Sequence, residues 1–209
     1  MRGMKATAWL AALVFFLQLP IPLYWLVFHP AIAYWRRHGK AVYFAAVLLS
    51  WGPLTASLFL FHTQLFRPGW PRAWEIVVGL ALVCFEVWIF RRVEHDLGSA
   101  RMAGHAELRD GREVVSDGIY SRVRNPRYAG SFLAIVGACV LARTRLAWIV
   151  AGCWALLVLV VILLEERELR ARLGEPYLEY CRRVPRFLSF RTPFTKNRSM
   201  NECQAPNSL

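Results

Sequence analysis

Acidic residues are scarce in this chain. Fourteen Asp and Glu stand against 26 Lys and Arg among 209 residues, a formal net charge of +12. Charges of both signs make up only 19% of the chain, below the roughly 25% of an ordinary soluble domain. The five cysteines include no C-x-x-C pair and no Cys/His spacing suited to zinc, which argues against a disulfide framework and against a structural metal. Cys84, Cys139 and Cys153 lie inside apolar runs, where a cysteine behaves as a small hydrophobe. There is no dinucleotide-binding glycine fingerprint and no internal repeat. A nucleic-acid partner is not expected, because the positive charge is spread between and after apolar runs rather than gathered in a basic module.

What is abundant is apolar. Hydrophobic residues are 56% of the chain and the mean hydropathy is +0.33. Long apolar runs at residues 7–28, 41–62 and 74–90 each approach the ~20 residues that cross a bilayer. Two more, 129–142 and 146–164, are separated only by Arg143-Thr144-Arg145 and read as a tight helical hairpin. The first arm of that hairpin is short for a full crossing. Its Gly130, Ser131, Gly137 and Ala138 permit close helix contact. The expected fold is therefore all-α, a polytopic membrane protein of about five transmembrane helices. The first run is longer than a signal peptide's ~7–15-residue apolar region and the basic "YWRRHGK" follows it, so it reads as a retained helix, kinked at Pro20 and Pro22.

Basic residues set the orientation. "YWRRHGK", the 91–128 loop and the stretch after Leu164 are rich in Lys and Arg, which places the amino terminus outside and the carboxyl-terminal region in the cytoplasm. The tail at 195–209 is polar and reads as disordered. Glu86 is a carboxylate within the third run. It either reaches headgroups or an arginine, or lines a cavity.

The chemistry gathers in the carboxyl-terminal half. "SDGIYSRVRNPRYAGSFLAIVG" places Arg122, Arg124 and Arg127 around an Asn-Pro step. Asn125 is suited to cap a helix and Pro126 to its first position. A helix start with an arginine beside it favours anions. Further on, "VILLEERELRARLGEPYLEYCRRVPRF" carries Glu165-Glu166 at the end of an apolar run. Helix is expected through Leu173, a stop at Gly174, and a new helix opened by Pro176. Glu166–Arg170 and Glu168–Arg172 are i,i+4 pairs. Glu165 has no such partner. Tyr177 and Tyr180 share one face of the second helix. A positive helix mouth could equally bind lipid phosphate.

These two blocks together resemble the membrane methyltransferases related to isoprenylcysteine carboxyl methyltransferase and the phospholipid methyltransferases. Gly118, Tyr120, Arg124, Pro126, Tyr128, Gly130, Glu165, Glu166, Leu169, Gly174, Tyr177, Tyr180, Pro185 and Arg186 fall on the family pattern in order. One position departs from it: Asn125 stands where the family often has His, and Asn cannot carry charge. The resemblance implies S-adenosylmethionine as cofactor and a lipophilic or lipid-modified acceptor reached from the bilayer. The 129–194 region would hold the cofactor on the cytoplasmic side. It implies a cofactor wall of Tyr120, Arg124, Asn125, Pro126, Tyr128 and Gly130. Glu165 and Glu166 would take the ammonium or ribose, and Tyr177 and Tyr180 would shape the nucleobase side. Glu166, Arg170 and Arg167 are the candidate catalytic residues. The expected reaction is carboxyl O-methylation of the isoprenylcysteine type. Phospholipid N-methylation, thiol S-methylation, an NADPH-dependent membrane reductase and a non-catalytic subunit are the alternatives.

Overall fold

A computed structural model of the chain describes residues 6–28, 32–67, 69–98 and 114–187. Among these it is entirely helical. The helices are α1 (Ala6–Gln18), α2 (Pro20–Phe28), α3 (Ile32–Leu60), α4 (His62–Leu65), α5 (Ala73–Leu97), α6 (Pro126–Ala142), α7 (Arg145–Leu173) and α8 (Glu175–Arg183), with a 3-10 turn at Gly118–Ser121. Three described stretches are long and apolar enough to cross a membrane: Ala6–Leu26, Ala73–Leu97 and Arg145–Leu173. Helix α6 is apolar but shorter. Most side chains of α3 between 35 and 47, the middle of the 91–128 loop and the expected disordered tail lie outside the described residues.

The described spans add detail to the apolar runs. The first run breaks at Leu19 between α1 and α2 within the single apolar stretch Ala6–Leu26, because Pro20 and Pro22 both lack the N–H that would continue the ladder. Gln18 C=O would otherwise bond the N–H of residue 22. Instead the indole Nε1 of Trp154 on α7 donates to it at 2.9 Å. The "YWRRHGK" segment, read from sequence as a loop, lies within the first turns of α3. Nothing in that run breaks a helix except Gly39, a mild penalty. The third run continues past residue 90 to Leu97, carried by Arg91, Arg92 and Glu94, all compatible with helix.

The expected hairpin forms. Arg143 ends α6 in the left-handed region at φ 59° and Thr144 caps α7, its hydroxyl accepting from Ala147 N. The guanidinium of Arg143 then donates to the carbonyls of Gly69 and Trp70, both at 3.0 Å. Thr144 Oγ1 donates to Leu65 C=O at 2.7 Å. One end of the bundle is thus closed by side chains satisfying loop carbonyls.

The closest packing is antiparallel, α5 on α6. A Cβ on Gly137 would come within 2.9 Å of Gly79 C=O, and one on Gly79 within 2.6 Å of Leu141. Small residues let these backbones touch where hydrophobic driving force is weak. Ala134, Ile135, Ala138, Cys139, Leu141 and Ala142 of α6 are buried in the main core with Ala11 and Phe15 of α1 and Trp154, Val161 and Ile162 of α7. Among the described residues α6 is the helix around which α1, α5 and α7 gather, and it carries the Asn-Pro step to the open end of the bundle.

Candidate active site

Glu166 is the centre of that open end. The last turns of α7 carry it past the apolar run, yet it is only 1% exposed. Arg186 donates to it twice, at 3.0 Å from Nε and 2.7 Å from an Nη. Arg124 lies 3.2 Å away and Arg170, one turn on, 3.0 Å away. Three guanidinium charges face one carboxylate. A buried ion needs such partners to offset its desolvation. The contact with Glu166 holds the Arg186 guanidinium firmly in its charged form.

The two sequence blocks are joined by backbone as well. After α8 the chain turns at Val184 and runs beside the start of α6. Arg124 N–H donates to Pro185 C=O at 3.0 Å and Asn125 N–H to Arg186 C=O at 3.2 Å. Arg124 Nη1 donates to Cys181 C=O at 3.1 Å. Tyr180 OH donates to Tyr120 C=O at 2.8 Å. Asn125 occupies the N-cap position as expected, but its side chain does not cap the helix. Its Nδ2 turns instead to Arg186 C=O at 3.4 Å.

Glu165 lies about 100° round the helix from Glu166 and has a separate environment. It accepts from Tyr128 OH at 2.8 Å, and the charge of Arg127 acts on it. Tyr177 and Tyr180 are both buried, their rings 6.0 Å apart. Burial pushes both phenols, and that of Tyr120, well above the ordinary tyrosine range, with the nearby carboxylate of Glu165 adding to the effect at Tyr120. Pro126 and Gly130 are buried in the first turns of α6, Gly130 against Ile89 and Glu86. A second clasp lies nearby: Asp96 of α5 accepts from Ile119 N–H at 2.8 Å. A Cβ on Gly118, whose φ is +58°, would land on that carboxyl.

The sequence-derived candidates therefore fall into two groups. Tyr120, Arg124, Asn125, Pro126, Tyr128, Gly130, Glu165, Glu166, Tyr177 and Tyr180 come together at one end of the bundle. Arg170 joins through Glu166. Arg167 is exposed on α7. Arg186 was not among the candidates, although Pro185-Arg186 lies on the family pattern. The cue was the Pro-Arg step just beyond α8. Gln18 and Glu86 were missed as a pair, since nothing in the sequence brings residues 68 positions apart together.

The donor set suits an anionic group. Arg124 is 10% exposed at its side chain, and its buried Nε has no hydrogen-bond partner. Around Glu166, three cations against one anion leave two positive charges. Around Glu165, the phenols of Tyr128 and Tyr120 and a carboxylate suit a cation and hydroxyls.

Residues 74–175 match the family model described as phospholipid methyltransferase. The match takes in α5, α6, α7 and the first residue of α8, and leaves α1–α4 outside. No curated protein and no solved structure gives a significant match.

Proposed function

Residues 74–175 belong to the phospholipid methyltransferase family, and from that premise we propose that the protein transfers a methyl group from S-adenosylmethionine to the polar head of a lipophilic acceptor in the membrane. The observation that carries the reading is the clasp of Arg124, Glu166 and Arg186 with the unpartnered Arg124 Nε. Arg124 would hold the cofactor carboxylate by a charge-assisted bond. Glu165 would take its ammonium or ribose, and Tyr177 and Tyr180 would wall the nucleobase. Bound there, the cofactor supplies an electrophilic methyl group on a sulfonium. The site would face the cytoplasm, as the basic residues near the open end imply.

Glu166 does not serve as a proton acceptor in this reading, because both its oxygens already accept from arginines. It is a positioning residue that fixes Arg124 and Arg186. Glu165 is the available carboxylate. An amine acceptor sheds a proton as its nitrogen gains the methyl group, and Glu165 would accept it. Tyr128 holds that carboxylate in place. A phospholipid amine is therefore the preferred acceptor. The guanidinium groups of Arg170 and Arg186 are turned to Glu166 rather than outward to an acceptor carboxylate. Carboxyl O-methylation of the isoprenylcysteine type is the second reading. The charge of Arg127 on the Glu165 side is the observation that favours it, since a cation there would orient an acceptor that needs no base. The apolar walls keep water from the sulfonium, and alignment supplies much of the rate.

The test is calorimetric binding of S-adenosylmethionine and S-adenosylhomocysteine to detergent-purified protein, followed by methyl-label transfer into lipid extracts. Micromolar binding and label in a lipid are expected. Saturable binding of NADPH alone would replace this reading with a membrane reductase. Folded protein that binds neither would be a non-catalytic subunit.

A further inference from the structure

Glu86 is half-buried at the middle of α5, opposite Gly130 of α6. A carboxylate at such a depth costs ~2.5–3.5 kcal/mol unless something answers it. What answers it is weak. Gln18 Nε2 donates to Glu86 Oε1 at 3.3 Å, longer than the usual ~2.9–3.0 Å. An ionised carboxylate only accepts, so the amide must present its NH₂ to Glu86 and turn its oxygen elsewhere. That oxygen is buried and has no partner, in a residue only 8% exposed. Buried polar atoms are seldom left so, and each costs ~1–3 kcal/mol. The Gln18–Glu86 contact is thus a poorly satisfied resting state.

Its location gives it a use. The charge of Arg127, in the first turn of α6, acts on Glu86 and on Glu165 alike. One cation against two anions leaves a negative charge uncompensated. Gln18 is the last residue before the α1–α2 break, where Trp154 already substitutes for the bond that Pro22 cannot make. A side chain at a helix break can swing away without unravelling a ladder.

Resting on the reading of a lipophilic acceptor above, we infer that Glu86 receives the acceptor's head group through an N–H or O–H donor, and that Gln18 is a placeholder which the head group displaces. Glu86 is then a specificity-determining residue deeper in the membrane than Glu165. It admits head groups that donate hydrogen bonds and repels carboxylates.

The full chain is reconstituted in nanodiscs holding equal phosphatidylethanolamine, phosphatidylglycerol and phosphatidylcholine, and retained lipid is read by native mass spectrometry without cofactor. The first offers an ammonium, the second hydroxyls, the third no donor. The expected result is at least severalfold retention of one donor lipid over phosphatidylcholine, and which one names the source. Glu86→Leu should abolish the preference. Gln18→Leu should keep or strengthen it, since a placeholder is gone. A purely structural clasp predicts that both variants lose the preference together. That outcome, a wild-type protein that retains phosphatidylcholine equally, or Glu86→Leu that still prefers donors would each overturn the inference. S-adenosylhomocysteine binding, measured on the same samples, separates failure of the methyl-transfer reading from failure of this one.

Discussion

Arg124 and Glu166 meet at 3.2 Å, yet their substitutions should have different consequences. Arg124→Ala removes the donor assigned to the cofactor carboxylate but leaves Glu166 two other cations. It should weaken S-adenosylhomocysteine binding at least tenfold, about 1.4 kcal/mol, with a small change in melting temperature. Glu166→Gln removes the only anion among three guanidinium groups. Unpairing a buried ion costs roughly 3–5 kcal/mol, so a large fall in melting temperature is expected along with lost binding. If the two variants melt alike, Glu166 does not hold the clasp. Asn125→His tests the departure from the family pattern. The 3.4 Å contact of Asn125 Nδ2 is long, and the adjacent backbone bonds join the segments without it. Cofactor affinity within about threefold of wild type, under ~0.7 kcal/mol, is the expected outcome by calorimetry. A much larger gain would assign charge at this position a role the fold does not supply.

Among the elements, two contacts depend on single atoms. The Trp154 indole closes the break between α1 and α2, and Trp154→Phe leaves the Gln18 carbonyl without that donor inside the bundle. An unsatisfied buried carbonyl costs ~1–3 kcal/mol. The measurable result is a lower melting temperature in detergent, and restoration by Pro22→Ala, which returns a backbone donor in sequence. No restoration would mean the indole acts by packing alone. Gly137→Ala drives a methyl group against the Gly79 backbone at 2.9 Å, so α5 and α6 must part. Overpacking of this kind costs ~1–3 kcal/mol and would shift Glu86 away from the base of α6. Gly152→Ala on α7, where a Cβ meets nothing within 4 Å, is the neutral control. Helix ends were legible in sequence where chemistry dictates them: Asn125-Pro126, Gly174 and the Arg143-Thr144-Arg145 turn each hold one residue type that backbone geometry demands. The start of α3 was misread because positive charge was taken as a mark of a loop, when charge alone does not stop a helix. The Gln18–Glu86 and Asn125–Arg186 contacts were not legible, because tertiary contact across 60 or more positions leaves no periodicity behind.

Across the whole molecule, charge and burial divide the two ends. The end near Arg143 is held by hydrogen bonds to loop carbonyls, and the end near Glu166 by ion pairs and tyrosines. Tyr120, Tyr177 and Tyr180 are held in the neutral phenol form by burial. In the unfolded chain they would ionise near pH 10. Their folded values lie higher, so the stability they contribute is complete below about pH 10 and is lost as pH rises beyond it. Phenolate absorbance followed against pH should show these residues titrating late and steeply, together with loss of cofactor affinity. A smooth titration near pH 10 with affinity retained would place them in water.

The clasp on Glu166 also orders the protein's making in time. Among the described residues, Arg186 follows the last stretch long and apolar enough to cross a membrane, which ends at Leu173. Every helix up to α7 can be synthesised and inserted before residue 186 leaves the ribosome, and until then the carboxylate at its centre lacks its shortest ion pair. Released chains truncated before Pro185 should insert yet be blind to S-adenosylhomocysteine, and chains that retain Arg186 should bind it. Insertion and competence are separate events in the life of this polypeptide, divided by a handful of codons.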